Sequence, residues 1–180
     1  KAEPNILKSC PNHKLLIVGD GPDTNKYKDL VTKLNIEKNV VFTGKILYKN
    51  IPEYYQLADI FTTASKTETQ GLTVVEAMAA SLPVLAIKDD AFVDAINDSN
   101  GYLFKNMKDY TNKSVELINN PKLRIQLGKQ ARLDSNKFSV QTFASSVEKV
   151  YEKAIKEKDI TNRSFINRAK NVVERGLHNE

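Results

Sequence analysis

The sequence predicts an α/β fold, a Rossmann-like doubly wound parallel sheet, and two observations carry that expectation. Short apolar runs rich in β-branched residues alternate with amphipathic stretches, in the rhythm β-α-β-α-β-α-β. Runs such as "LLIV" and "PVLAI" are also continuously apolar, as strands are when helices cover both faces of a parallel sheet.

Strands are expected at Lys14 to Val18, Val40 to Thr43, Asp59 to Ala64 and Pro83 to Ile87. Between the first two, Asp23 to Leu34 carries Tyr27, Leu30, Val31 and Leu34 at helical spacing. Ile51 to Ala58 reads as a short helix, and Leu72 to Ala80 as a helix dense in small residues. After Phe104 the strand pattern stops. Asp109 to Asn119, Lys122 to Asn136 and Val140 to Lys158 read as closing helices, with Asn120-Pro121 breaking the first from the second. Residues 1–158 are thus expected to form the sheet domain, and 159–180 a separate C-terminal helix. That helix would set Phe165, Ile166, Ala169, Val172, Val173 and Leu177 on one face, with Arg163, Arg168, Lys170 and Arg175 among the rest. Such a basic amphipathic helix can pack on a domain or lie on an anionic membrane surface.

With 180 residues, 41% hydrophobic and 27% charged, the chain can bury one real core. Its net charge of +5 favours anionic partners without choosing among them. The single Cys10 cannot form an internal disulfide, which points to a reduced, cytoplasmic thiol. No Cys/His cluster has zinc-ligand spacing, and no apolar run is long enough to span a membrane or to form a signal peptide. His13 and His178 are isolated and are expected on the surface.

Four stretches can carry chemistry. In "LLIVGDGP" a strand runs into Gly19 and Gly21, residues that allow a tight turn or a close approach to a ligand. Thr24 stands where a dinucleotide fingerprint needs its third glycine, and no phosphate-binding Gly-Lys-Ser/Thr occurs, which weakens NAD and ATP readings. In "FTGKI" the backbone of Lys45 and Ile46, after Gly44, can meet a base or simply turn. Asp89-Asp90 reads as a solvated loop or a cap rather than a metal site.

The fourth stretch is "TETQGLTVVEA". Gly71, Leu72 and Thr73 open a helix, and their N–H groups can receive a diphosphate. Thr73 and Glu76 share a helix face, where a hydroxyl can reach phosphate and a carboxylate can accept from two sugar hydroxyls. The same four residues fit a capping box, which would explain Glu76 without a ligand but leaves Glu68 unexplained. Glu68 and Glu76 also raise the possibility of glycosidase chemistry, whose carboxylates stand roughly 5 Å apart for retention or about 6.5–9.5 Å for inversion. Eight helical residues span about 12 Å, so a nucleotide-sugar fits better than a plain glycan.

Taken together, "LLIVGDGP", "VVFTG", "ADIFTTAS", Glu68 to Glu76, "EAMAASLPV" and "NGYLF" resemble the carboxyl-terminal half of retaining glycosyltransferases of the GT-B fold, the large family four. "TETQGLT" looks like the bacterial diacylglycerol glucosyltransferases within it. The resemblance implies that Glu68 faces the transferred sugar, with Gln70 beside it, and that Glu76 holds the ribose. It further implies that Gly71, Leu72 and Thr73 bind the diphosphate, while Gly19, Gly21, Lys45 and Ile46 border the nucleotide. It implies a UDP-hexose donor, no metal, no cofactor, no nucleic acid, and a lipid or surface-glycan acceptor. Enzymes of this kind work at the inner face of the cell membrane. It also implies that an opening strand with an Arg/Lys pair, and the whole acceptor-binding half, precede Lys1, so that this fragment does not catalyse transfer alone. Ser81 departs from the family's usual glycine and Asp94 from its usual glutamate. A sugar-nucleotide epimerase of similar fold and a noncatalytic nucleotide-binding module are the rival readings; the first lacks a convincing acid/base histidine near the strand ends.

Overall fold

The computed structural model describes residues 1–66 and 71–177, with side chains described through residue 158 and at four later positions. Its elements are α1 (Glu3–Ser9), β1 (Leu15–Ile17), α2 (Thr24–Lys33), β2 (Val40–Phe42), α3 (Ile51–Leu57), β3 (Phe61–Thr63), α4 (Leu72–Ala79), β4 (Val84–Ile87), α5 (Asp90–Val93), β5 (Gly101–Phe104), α6 (Met107–Asn119), α7 (Pro121–Ser135) and α8 (Val140–Leu177). They fall into two compact units, residues 1–136 and 137–180.

All strand pairing in the first unit is parallel, as the continuous apolar runs predict. The strands form two sheets, however: β1 pairs with β2, and β4 lies between β3 and β5. β4 shows why its sequence is apolar without alternation. Val84 and Ala86 face a cluster with Val74, Ala77 and Met78 of α4 and Phe92 of α5. Leu85 faces the other way, onto Phe104, Leu117 of α6 and Leu127 of α7. A strand covered on both faces has no solvent side on which to place polar residues.

β5 was not among the four expected strands, because Gly101 weakens its pattern. A Cβ at Gly101 would stand 2.3 Å from the Val84 carbonyl oxygen, so only glycine allows the pairing with β4. Asn100 just before it is 1% exposed and satisfied at both ends of its amide: it donates to Ala95 O and Asp134 Oδ2 and accepts from Asn97 N. The closing helices begin where their caps are. Asn106 accepts from Asp109 N, and Asn120 accepts from Leu123 N with Pro121 at the first helical position. Arg124 then holds the junction, donating to Leu117 O at 2.8 Å, Ile118 O at 2.7 Å and Asp59 Oδ1 at 3.2 Å.

Three sequence expectations change. α1 was not anticipated; Ile6 on its buried side packs with Ala2 and Cys10 against Tyr110, Val115 and Ile118. His13 is not an isolated surface residue, since its Nε2 lies 2.7 Å from Oε1 of the buried Glu3 and ties α1 to the approach to β1. The stretches read as two terminal helices are one, α8, of 38 residues. Phe143, Val150, Tyr151, Ile155 and Phe165 on it are exposed. His178 lies outside the described residues. Among the described residues no helix is long and apolar enough to cross a membrane.

Ser81, between α4 and β4, sits at φ +64°, a left-handed conformation. That costs a non-glycine residue roughly 1–2 kcal/mol, of which glycine's larger unfolded-state freedom would take back about 0.4–1 kcal/mol. Ser81→Gly is therefore expected to stabilise the chain by about 0.5–1 kcal/mol, read as a rise of about 1–4 °C in the thermal midpoint.

Candidate functional site

The expected ligand-facing residues follow the carboxyl ends of β1 and β2 in one parallel sheet and of β3 in the other, the strand ends where ligands collect. After β1, Gly19 has φ +113°, and after β2, Gly44 has φ +69°; the two meet in an antiparallel bridge. Both conformations are ones glycine adopts freely. Gly19 N donates to Thr43 Oγ1, whose hydroxyl in turn donates to Gly44 O. Lys45, exposed, and Ile46, half-buried, follow that joint.

The loop after Gly19 also explains the missing third glycine. Thr24 Oγ1 donates to Asp20 Oδ1 at 2.7 Å, while Gly21 N donates to the same carboxylate at 2.9 Å and to Thr24 Oγ1 at 3.0 Å. The Thr24 bond and then the Gly21 bond hold the Asp20 carboxyl below its ordinary range. Gly21 thus lines this edge with its N–H already committed inside the loop.

At the third strand end, Glu68 and Gln70 lie outside the described residues. Gly71, buried, is the N-cap of α4, at φ +58° and ψ +37°. A Cβ there would meet Phe92 Cε1 at 3.0 Å, so glycine is favoured by conformation and any side chain would also press on the ring behind it. Val74 and Val75 donate back to Gly71 O. The Leu72 and Thr73 N–H groups have no acceptor among the described residues, and both residues are exposed.

The capping box is not what forms. Thr73 lies inside the helix, no side chain caps its start, and the Glu76 carboxylate is engaged elsewhere. Tyr55 on α3 donates to Glu76 Oε2 at 2.9 Å, with Thr73 O at 3.3 Å from the same hydroxyl. Burial first, and then this bond, push the Tyr55 phenol well above its ordinary range, so it stays a donor. Sequence reasoning missed Tyr55; its one signal was a tyrosine in a helix that ends at the approach to β3. Asp89 proves to be a helix cap, accepting from Ala91 N at 3.1 Å. The structure joins Gly19 to Gly44, and Thr73 to Glu76 through Tyr55; no described contact links the two groups.

Residues 1–134 match the family model described as Glycosyl transferases group 1. The chain belongs to that family. Among other group 1 glycosyltransferases and their relatives, an alpha-monoglucosyldiacylglycerol synthase of Acholeplasma laidlawii is 36% identical over 147 residues, 81% of this chain and 37% of that protein. TarM of S. aureus, in a crystal structure with UDP, alpha-GlcNAc-glycerol and Fondaparinux, is 26% identical at a TM-score of 0.77, over 83% of this chain and 31% of that one. The C-terminal domain of LpcC, a group 1 protein of Francisella tularensis, is 30% identical at a TM-score of 0.69, over 77% of this chain and 76% of that one. The chain therefore spans little more than a third of its full-length curated relative, and the GT-B resemblance drawn from its motifs holds for family and fold.

Proposed function

We propose that this chain is the donor-binding part of a retaining hexosyltransferase that takes UDP-glucose or another UDP-hexose and glycosylates a membrane lipid of diacylglycerol type or a surface glycan. The observation that carries the reading is Glu76: it is not spent on capping α4, and it lies in the first turns of a helix whose start no side chain caps among the described residues. In this reading Glu76 accepts from the ribose hydroxyls, and Gly71, Leu72 and Thr73 hold the diphosphate by backbone N–H groups and the Thr73 hydroxyl. Glu68 and Gln70 meet the transferred hexose. Gly19, Gly21, Lys45 and Ile46 border the nucleotide, Gly21 by shape alone since its N–H is used.

Transfer proceeds on one face of the sugar. The bond from the anomeric carbon to the diphosphate oxygen breaks, the bond to the acceptor hydroxyl oxygen forms on the same side, and the hydroxyl proton passes to the leaving phosphate. The helix start and basic side chains stabilise that phosphate in place of a metal. Glu68 positions the hexose and stabilises charge. The acceptor half belongs to a longer chain, without which the fragment is inactive. In this reading the exposed apolar residues of α8 meet that half or an anionic lipid surface, and the enzyme works in the cytoplasm at the inner face of the cell membrane.

The test is a titration of UDP-glucose, GDP-mannose and NAD against this chain and its Glu76→Ala variant. Weak uridine-nucleotide binding is expected, falling roughly tenfold or more in the variant, as loss of hydrogen bonds to a charged group does. Tight NAD binding, or uridine binding indifferent to the substitution, would sink the assignment.

A further inference from the structure

We propose that Tyr55 is a positioning residue for ribose recognition: its hydroxyl fixes the Glu76 carboxylate so that the remaining acceptor positions of that carboxylate face the vicinal hydroxyls of a nucleoside diphosphate. The proposal rests on the placing of Glu76 at the ribose and adds a residue, a mechanism and a selectivity to it.

The two residues come from different helices, 21 positions apart, and meet at 2.9 Å. The tyrosine is held at both ends. Its ring lies 5.9 Å from that of Phe61 on β3, tilted by 51°, and packs against the α4 cluster. Its hydroxyl has a single proton; the shorter approach is to Glu76 Oε2, with the Thr73 carbonyl at 3.3 Å taking the weaker share. A phenol raised in pKa by burial and by the carboxylate keeps that proton at any working pH.

An ionised carboxylate has about four acceptor positions, and Tyr55 occupies one. The others remain on a side chain whose free rotation is already lost. A glutamate on an exposed helix face would lose that freedom only on binding its ligand, and affinity would fall accordingly. The pairing also runs from the core outward: Phe61 holds the ring, the ring holds the hydroxyl, and the hydroxyl holds the carboxylate near the start of α4.

The experiment compares UDP with 2′,3′-dideoxy-UDP by calorimetry on the 180-residue chain, in four forms: unsubstituted, Tyr55→Phe, Glu76→Ala and the double variant. The phenylalanine keeps the ring and removes only the hydroxyl. Tyr55→Phe is expected to lower UDP affinity about tenfold and to leave the dideoxy ligand within about twofold. It should add nothing further in the Glu76→Ala background. If Glu76→Ala weakens UDP while Tyr55→Phe leaves the preference for UDP over the dideoxy ligand intact, the proposal fails and the ribose role of Glu76 stands. It fails in the same way if Tyr55→Phe weakens both ligands equally, since the hydroxyl would then be merely structural. If UDP does not bind, or Glu76→Ala leaves it untouched, the ribose reading itself fails and takes this proposal with it.

Discussion

Phe92→Ala is expected to cost about 3–5 kcal/mol of stability, the range for removing a buried aromatic side chain. Phe92 is 1% exposed and packs in the cluster that joins α4 to β4. Removing its ring leaves a void that the cluster cannot refill, because Val74, Ala77, Met78 and Val84 are fixed by a helix and a central strand. With native stabilities of about 5–15 kcal/mol, such a loss brings a domain close to unfolding at ordinary temperature. The denaturant midpoint should fall sharply with an unchanged slope, the sign of lost stability without a changed unfolded state. The ring edge also stands against Gly71, the residue that starts α4. Phe92→Leu, which refills part of the volume, is expected to recover part of the loss.

Gly128→Ala has the second large effect, for the opposite reason. The chain passes so close at this point that an added Cβ would stand 2.1 Å from the Ser81 carbonyl oxygen and 3.1 Å from its carbon. Both are backbone atoms in a turn already set by the left-handed Ser81, so there is no flexible side chain to move aside. α7 must then lift from α4 or the turn must deform, a cost of about 3 kcal/mol at the upper end of ordinary overpacking. For a chain of this length the thermal midpoint should fall by about 6–12 °C. An unchanged midpoint would mean that α7 does not lie on this turn.

The largest elements were legible because local pattern and burial agree in them. "PVLAI" was readable as a doubly covered strand, and Leu85 does face one helix layer while Val84 and Ala86 face the other. The break at Asn120-Pro121 was readable because a cap and a helix-starting proline coincide there. Two parallel sheets in place of one were not readable, since strand pairing is a long-range choice that apolar runs do not encode. β5 escaped because its defining residue, Gly101, is chosen by the neighbouring strand's carbonyl rather than by strand propensity. Gly71 was readable as the start of α4 from helix-start chemistry. Tyr55 was not, because its hydrogen bond crosses two helices and leaves no spacing signature. Thr24 seemed only to spoil a glycine fingerprint, when in fact it completes the loop.

The order of pairing in the larger sheet also bears on how the molecule assembles. Phe61 pairs with Val84 and Val84 with Gly101, separations of 23 and 17 residues, so each strand joins its neighbour after a single intervening crossover. The difference in chain-closure entropy between those two steps is only about 0.3 kcal/mol. Neither strand has to wait for a distant part of the chain, and β4 can recruit its neighbours on both sides in either sequence. The three-stranded sheet that holds Gly71 and Glu76 in place is thus open to early, stepwise formation during synthesis.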